Sequence, residues 1–492
     1  MREGIGKIKF MNKNSTVTLG FSKSGNSFTF IRFRPVLTWM SSQGRQAQSD
    51  IERYKLYFVL ILTAIFIFSC GKEKNQLSSN LESSMNRIAE QYAKLVLNIG
   101  ELDADYVDAY YGPEEWKSEI KSNTIKDSAF IQNLYDESGK LLDSLESLSS
   151  EQADEMLTLR YRFLYKQILA ARTKIFMLAG GKLTFDEEAK ALYDAQVPVH
   201  DSAYFQNIIA EIDKLLPGKG NVTDRWQEFR KQFIIPNEKL DEVFQAAISE
   251  CRKRTLQHIK LPVKETFTVE YVKEQPWGAY NWYKGNYFSV IQVNTDLPTY
   301  IDRAVDLAAH EGYPGHHVLN VLLEKLYRER NWAEFCIYPL FSPQSLIAEG
   351  TANYGIEVAF PANTQAEFEK EVLFPIAKLN PAQAEDYYKI SQLIQKLRYS
   401  SIEAARNYLD GKWTKEQAIS WLQKYNLASK ERAEQNLKFF EKYRSYIINY
   451  SIGQDLVKQY IEKNGGTENN TALRWKLFER IISSPQTPSG LK

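Results

Sequence analysis

Histidine is scarce in this chain, cysteine is scarcer, and a net charge is all but absent. There are five His, three Cys and a formal charge of +1 over 492 residues. The near-zero balance removes any bulk electrostatic case for nucleic acid as a partner. Cys70, Cys251 and Cys336 are too few for a disulfide framework or a Cys-based zinc ribbon. Cys251 and Cys336 are expected to be free, buried thiols. No internal repeat, phosphate-binding loop or nucleic-acid motif occurs. The apolar run Leu56 to Phe68 is too short for an ordinary transmembrane helix. What is present is globular in kind, with 43% hydrophobic and 25% charged residues. The length allows one large domain or two to three ordinary ones.

Residues 1–50 are basic and show no apolar periodicity, which predicts a disordered or mis-assigned N-terminal extension. Residues 51–70 read as a signal peptide. Arg53-Tyr54-Lys55 supplies the positive region, Leu56 to Phe68 the apolar one, and Ser69-Cys70-Gly71 follows. That ending resembles a bacterial lipobox, which implies cleavage before Cys70 and acylation of its thiol. The expected partner is a lipid bilayer, and the expected location is the bacterial cell envelope, on its periplasmic or outer surface. Residues 71–80 read as a linker, 81–482 as the main domain, and 483–492 as a loose tail.

The main domain reads as mostly helical. Ile88, Tyr92, Leu95 and Ile99 repeat at helical spacing and predict one buried face. Residues 152–179 predict a long amphipathic helix closed by Gly180-Gly181. Thr184 and Glu187 form a capping-box pattern, and a helix is expected from Pro236 to about Thr255. Residues 265–293 differ. Their β-branched and aromatic alternation predicts two or three short strands, with turns at Pro276-Trp277-Gly278 and Lys284-Gly285. A loop is expected over 331–345, then helices over 346–360, 380–410, 414–425, 430–448 and 452–463.

Three of the five His fall within His310-Glu311-Gly312-Tyr313-Pro314-Gly315-His316-His317. His is the commonest metal ligand. A helical zinc motif sets two His at i and i+4, with Glu after the first as general base. Here position i+4 is Pro314, which cannot ligate. In an unbroken helix, at about 100° per residue, His316 points away from His310, while His317 returns to its face roughly 10.5 Å further on. Pro314 and Gly315 both disfavour an unbroken helix. A kink or bulge there brings His316 back beside His310, with His317 as second choice.

That stretch, followed by Glu349-Gly350-Thr351-Ala352-Asn353-Tyr354, resembles the bacterial DUF885 family, whose members are similar to gluzincin-type zinc peptidases. Tyr106-Val107-Asp108-Ala109-Tyr110-Tyr111-Gly112-Pro113, Asn294-Thr295-Asp296-Leu297-Pro298, Trp413 to Ala418 and, more weakly, Tyr450-Ser451-Ile452-Gly453 extend the resemblance over roughly 81–482. It implies a gluzincin-like helical architecture with a short antiparallel sheet before the His-Glu helix. In such peptidases an edge strand there pairs with the substrate backbone; a purely structural hairpin is the equal alternative.

A catalytic zinc takes three protein ligands and leaves a position to water. Glu349 is the leading third ligand, since Gly350 and Ala352 allow its helix to pack close; Glu324, Glu334 and Glu357 compete on composition only. Glu311 is the expected base. Tyr354 is the first candidate donor to a developing oxyanion, Tyr450 the second. Asp302 or Asp306 are candidates to orient a ligand His. Arg398 and Arg444 could hold a substrate carboxylate, but most helix Arg are solvated, and no role is assigned to them. The resulting expectation is a membrane-anchored, zinc-dependent hydrolase cleaving peptide substrates. The alternatives are a non-catalytic lipoprotein that binds peptides or a partner through a degenerate site, and a metal hydrolase of another amide or ester. The N-terminal reading generates a first test. Native protein is expected to begin at a diacylated Cys70 and to sediment with membranes, and Cys70→Ala to accumulate as unprocessed precursor. An intact mass that retains residues before Cys70 rules out the anchor.

Overall fold

The computed structural model describes residues 6–12, 15–21, 23–24, 27–28, 78–121, 127–148, 154–275, 277–296 and 298–492. Two units are present, Met1–Lys72 and Glu73–Lys492. In the first, Gly6–Asn12 pairs antiparallel with Ser15–Phe21, where the sequence predicts no regular element. The signal peptide, with Cys70, lies outside the described residues, as do residues 71–77 of the linker. Among the described residues, no helix is long and apolar enough to cross a membrane.

The second unit is mostly helical with small sheets, as the apolar spacing predicts. Helix α1 (78–100) starts inside the expected linker and buries Ile88, Tyr92, Leu95 and Ile99. Strand β1 (Val107–Tyr110) follows. Helix α2 (Glu155–Leu178) is capped by Asp154, whose side chain accepts from the Leu157 amide. Beyond it Gly180 takes a positive φ of 92°. Helix α3 (Phe185–Tyr193) carries the full Thr184–Glu187 capping box. Next come α4 (Val222–Arg230) and α5 (Leu240–Leu256).

Strands β2 (Thr266–Val272), β3 (Ala279–Gly285) and β4 (Phe288–Asn294) form one sheet in the order β2-β4-β3. It is mixed, not antiparallel as expected: β3 and β4 are antiparallel, but β2 runs parallel to β4. The reason lies in the turns. Asn286 and Tyr287 both adopt positive φ, 56° and 61°, which closes a tight β3–β4 hairpin. The connection from β2 then crosses to β4's other edge. Along β4 the alternation leaves Ser289, Ile291 and Val293 buried on one face.

That face meets the His-Glu segment. Helix α6 (Asp302–Leu307) leads into it and α7 (His316–Arg330) leaves it. The expected loop 331–345 instead contains β5 (Ile337–Pro339), which pairs antiparallel with β1. Helix α8 (Pro343–Ala359) opens with Pro at its first turn. The chain closes with α9 (Lys430–Tyr443), α10 (Ile452–Lys463) and α11 (Thr471–Ile482). Helix α8 crosses α10 at backbone contact: a Cβ on Gly350 would lie 2.4 Å from the Gly453 carbonyl. The role expected of Gly350, close packing on the His-Glu helix, is therefore spent on α10. Gly355 faces Pro314 instead, with its Cβ position 3.0 Å from the ring. Residues 483–492 are not loose. Pro488–Leu491 forms a short helix with Leu491 buried, and the Ser489 amide donates to Asp194 at 2.9 Å. Cys251 and Cys336 are free and buried.

One carboxyl in this fold has a pH consequence. Glu369 is fully buried and accepts from Gln365 Nε2 at 2.8 Å and from the Tyr388 hydroxyl. Burial, helped by nearby Asp302, pushes its pKa up to about 8. The folded state thus holds this proton more tightly than the unfolded chain does. Its stabilisation is complete below the ordinary Glu value of about 4.3 and is lost as pH rises through about 8. Glu369→Gln, which stays neutral, is expected to raise stability at pH 8 by on the order of 1–4 kcal/mol and to change it little at pH 5. Denaturant titrations at both pH values measure this; an equal effect at the two would refute the account.

Candidate metal centre

The helix begun by α6 widens before it breaks. Ala308–Gly312 is a π turn, and the amides of Tyr313 and Gly315 reach back to the carbonyls of Ala308 (3.1 Å) and Ala309 (2.9 Å). The bulge thus starts six residues before the expected Pro314 kink. Such turns occur often at functional sites. The Tyr313–Pro314 peptide is cis. At Gly315 the chain passes so close to His310 that a Cβ would lie 1.9 Å from the His310 carbonyl oxygen. Only Gly fits there. The sheet holds the bulge from beneath, with Asn281 Nδ2 of β3 donating to the Glu311 carbonyl at 2.6 Å.

This path brings His310 and His316 together, with their Nε2 atoms 3.1 Å apart. Glu349 of α8 approaches both: its Oε2 lies 3.4 Å from His310 Nε2 and 3.7 Å from His316 Nε2. Bonds of 2.0–2.2 Å to a tetrahedral zinc would set ligand atoms about 3.4 Å apart. Chemistry agrees with geometry. Glu349 Oε1 accepts from the Tyr446 hydroxyl at 2.9 Å, but Oε2 is buried with no donor. A buried carboxylate oxygen facing two imidazole nitrogens lacks the one thing a cation provides. Two His and one carboxylate suit zinc. Glu311 is also close, forming with His310 and His316 a group whose ligand atoms lie within 4.8 Å of one another. The orphaned oxygen makes Glu349 the carboxylate that would complete a site with His310 and His316, with Glu311 next to them.

Electrostatics reflect the convergence. Burial alone would raise the Glu349 carboxyl, but His310 and His316 hold it well below the usual range. Burial would lower His310, but Glu349 and Glu311 hold it above its ordinary value. The His310 Nδ1 is 3.0 Å from Asn353 Oδ1, an acceptor, so Nδ1 carries the hydrogen and Nε2 keeps its lone pair. Asn353 is itself held by the Tyr450 carbonyl at 3.0 Å.

Several candidates lie elsewhere. His317 faces the opposite way, fully buried between Ser289 Oγ (2.8 Å from Nδ1) and Glu265 Oε2 (3.1 Å from Nε2). As the neighbour of His316 on α7 it points about 100° round the helix, and the sheet takes it. Tyr354 is buried near Arg474, its ring 5.8 Å from the guanidinium, and burial raises its hydroxyl pKa. It lies one residue past Asn353, so it leaves the face of α8 that carries Glu349. Asp302 accepts from Tyr387 at 2.6 Å and Asp306 pairs with Arg303. The rival acids are also committed: Glu334 to Arg160 at 2.6 Å, Glu357 to Lys458 at 2.6 Å, and Glu324 to the Asn286 and Tyr287 amides at 2.8 and 2.9 Å. Arg398 pairs with Asp455 and Arg444 with Glu188.

Other residues enter that the sequence did not single out. Asn353, Tyr446 and Asn281 are described above. Asp108 of β1 accepts from the Tyr280 hydroxyl and stands in the field of His316, Glu349 and Glu311; burial foremost pushes its carboxyl up to about 7. Tyr450, not Tyr354, stands in the field of the site's carboxylates, beside Tyr446. Its side chain is partly exposed, but desolvation of the hydroxyl by surrounding protein, then the charges of Glu349 and Glu311, raise its pKa, so at neutral pH it is a donor. Asn353 and Asp108 stand inside stretches that carry the family resemblance, which was their one sequence signal.

No family model and no curated protein matches the chain. A crystal structure of a Colwellia psychrerythraea protein, described as a "putative lipoprotein", is similar at 14% identity and a TM-score of 0.47, over 76% of this chain and 70% of that one.

The two adjacent His separate in a metal-binding measurement. His316→Ala is expected to lose stoichiometric zinc. His317→Ala is expected to keep one zinc per chain but to lose about 1–3 kcal/mol of stability, since Ser289 and Glu265 lose a buried partner. Elemental analysis with thermal melts reads both. Zinc retained by the first variant and lost by the second would reverse the ligand choice.

Proposed function

We propose that this chain is a zinc-dependent hydrolase that cleaves peptide bonds, held to a bacterial envelope membrane through acylated Cys70. One observation carries the reading: His310, His316 and Glu349 converge with a buried, otherwise unpartnered Glu349 oxygen between two imidazoles, and Glu311 stands beside them. The resemblance of the His-Glu and Glu349 stretches to the DUF885 family and to gluzincin-type peptidases supports the same class of reaction. The apolar run before Ser69-Cys70 supports the anchor.

A bound zinc supplies Lewis acidity and lowers the pKa of water at its open position. The chain's own residues do the rest. His310, oriented by Asn353, and His316 present their Nε2 atoms. The Tyr446 hydroxyl on Oε1 leaves Glu349 Oε2 as the free oxygen. The Glu311 carboxylate accepts a proton from the attacking water as its oxygen bonds to the carbonyl carbon. It then gives that proton to the amide nitrogen as the C–N bond breaks, so protons balance over the cycle. Neutral Tyr450 donates to the oxyanion that develops between these steps.

Glu311→Gln is expected to bind zinc and melt like the wild type while kcat for peptide hydrolysis falls roughly 10²–10⁴-fold, the contribution of a positioned base. Peptide turnover with zinc stoichiometry measures both. Undiminished turnover by this variant would remove Glu311 as base.

A further inference from the structure

Four aromatic rings lead from the Glu349 carboxylate to the protein surface. Phe439 and Tyr443 stand four residues apart in α9, and Tyr446 and Tyr450 four apart in the 3₁₀ segment Arg444–Tyr450 that follows. Arg444, between the two pairs, takes a φ of 50°, which a residue with a side chain adopts only where its surroundings hold it. Buried Glu188 holds it, accepting from Arg444 Nε at 2.6 Å and from the Ser445 amide at 3.1 Å. The break sets the second pair of rings against the first. Between ring centres, Phe439 lies 4.8 Å from Tyr443 and 6.5 Å from both Tyr446 and Tyr450. Tyr446 lies 6.2 Å from Tyr443 and 5.8 Å from Tyr450.

The rings are tied to the His310–Glu349 cluster at two points. The Tyr446 hydroxyl donates to Glu349 Oε1 at 2.9 Å, and the Tyr450 carbonyl accepts from Asn353, whose Oδ1 faces His310. From there exposure rises outward. Tyr446 is 6% exposed, Phe439 and Tyr443 are half-buried, and Tyr450 is 37% exposed. The His310 and His316 side chains are themselves 13% and 16% open. A cluster used only for packing would bury its rings on all sides. This one keeps apolar ring surface in water beside the histidines, and exposed apolar surface grouped in this way marks a contact site. The far end closes on charge: Lys442 Nζ lies 5.0 Å from the Tyr443 ring centre and pairs with Asp105 at 3.1 Å. A cationic side chain would meet Lys442 there, so the occupant that fits is uncharged and aromatic.

We propose that Phe439, Tyr443 and Tyr450 form a subsite that takes an aromatic side chain of the substrate, so that peptide bonds flanked by Phe, Tyr or Trp are the ones presented to Glu311. This rests on the peptidase reading above and adds the class of substrate to it. Rings set at an angle to one another offer both faces and edges, which an incoming ring can meet edge-to-face and an aliphatic group of similar area cannot.

Binding is measured by calorimetry on the full chain, zinc-loaded and carrying Glu311→Gln so that peptides survive. The probes are Ala-Ala-X-Ala-Ala peptides with X as Phe, Leu, Lys or Ala. The Phe peptide is expected to bind roughly tenfold or more tighter than the Ala peptide, and the Lys peptide no tighter than the Ala peptide. Phe439→Ala is expected to cut the Phe advantage by roughly two- to tenfold, the scale of one aromatic pair, while zinc content and binding of the Ala peptide stay as they were. Phe439→Leu keeps apolar bulk and so guards against loss of folding; it is expected to lower the advantage of the Phe peptide over the Leu peptide. Equal binding of the Phe and Ala peptides, tighter binding of the Lys peptide, or a Phe advantage undiminished in both Phe439→Leu and Tyr443→Leu overturns the subsite. Hydrolysis of the same peptides by the unsubstituted protein, followed by mass spectrometry, separates the two claims. A Phe preference in binding with no cleavage keeps the subsite and removes the peptidase; cleavage with no preference keeps the peptidase and removes the subsite.

Discussion

Two histidines six residues apart cannot share a face of a regular helix, and the rest of this fold is arranged round that mismatch. The chain resolves it with a widened turn over 308–312 and a backbone passage at Gly315 that leaves no room for a side chain. A bulge of this kind exposes amides and carbonyls that a helix would satisfy internally. The sheet supplies the missing partners. Asn281 takes the Glu311 carbonyl, while Ser289 and Glu265 hold His317. The Tyr313 hydroxyl and Arg252 complete the same cluster, both donating to the Glu265 carboxylate at 2.6 and 2.7 Å. The strand segment before the motif thus acts as a mould for the turn. Any further role for its edge rests on the turn being held first.

The second half of the centre comes from α8, which has to serve four neighbours at once. Glu349 and Asn353, one turn apart, face the imidazoles. Gly350 faces Gly453, and Gly355 faces Pro314. Because α8 is pinned at two of its glycines by close contact with Gly453 and with the Pro314 ring, Glu349 has little freedom to relax away from the histidines. Its two oxygens have separate duties, one toward Tyr446 and one toward the site. The two histidines keep this buried carboxylate ionised without a lysine or arginine on it.

Much of this was legible in the residues. Helices with periodic apolar faces and end signals, such as 155–178 and 185–193, fall where spacing, the Gly180-Gly181 stop and the Thr184 cap put them, because local hydrogen bonding decides them. The His310–Glu311–His316 grouping follows from scarcity and from what Pro314 and Gly315 forbid. What could not be read was set by tertiary partners. Strand β5 is a strand only because β1 lies beside it, and the sheet is mixed because a tight hairpin at Asn286-Tyr287 leaves β2 one edge to join. The orientation of Tyr354 against Tyr450 depends on which helix lies across α8. A terminal stretch with Pro and Ser looks loose until Asp194, brought from 295 residues away, accepts its amide.

The partners of the His310–Glu349 cluster come from remote stretches of chain. Asn353 is 43 residues past His310, Tyr446 is 97 past Glu349, and Tyr280 meets an aspartate 172 residues earlier. Contacts of such sequence separation form late, because loop closure has to precede them. In vectorial synthesis the His-Glu stretch emerges while the chain that fixes Glu349 is still unmade. A fragment ending before Tyr446 would carry His310, His316 and Glu349 without the hydroxyl that orders the Glu349 carboxylate, so the cluster is completed only with the last hundred residues.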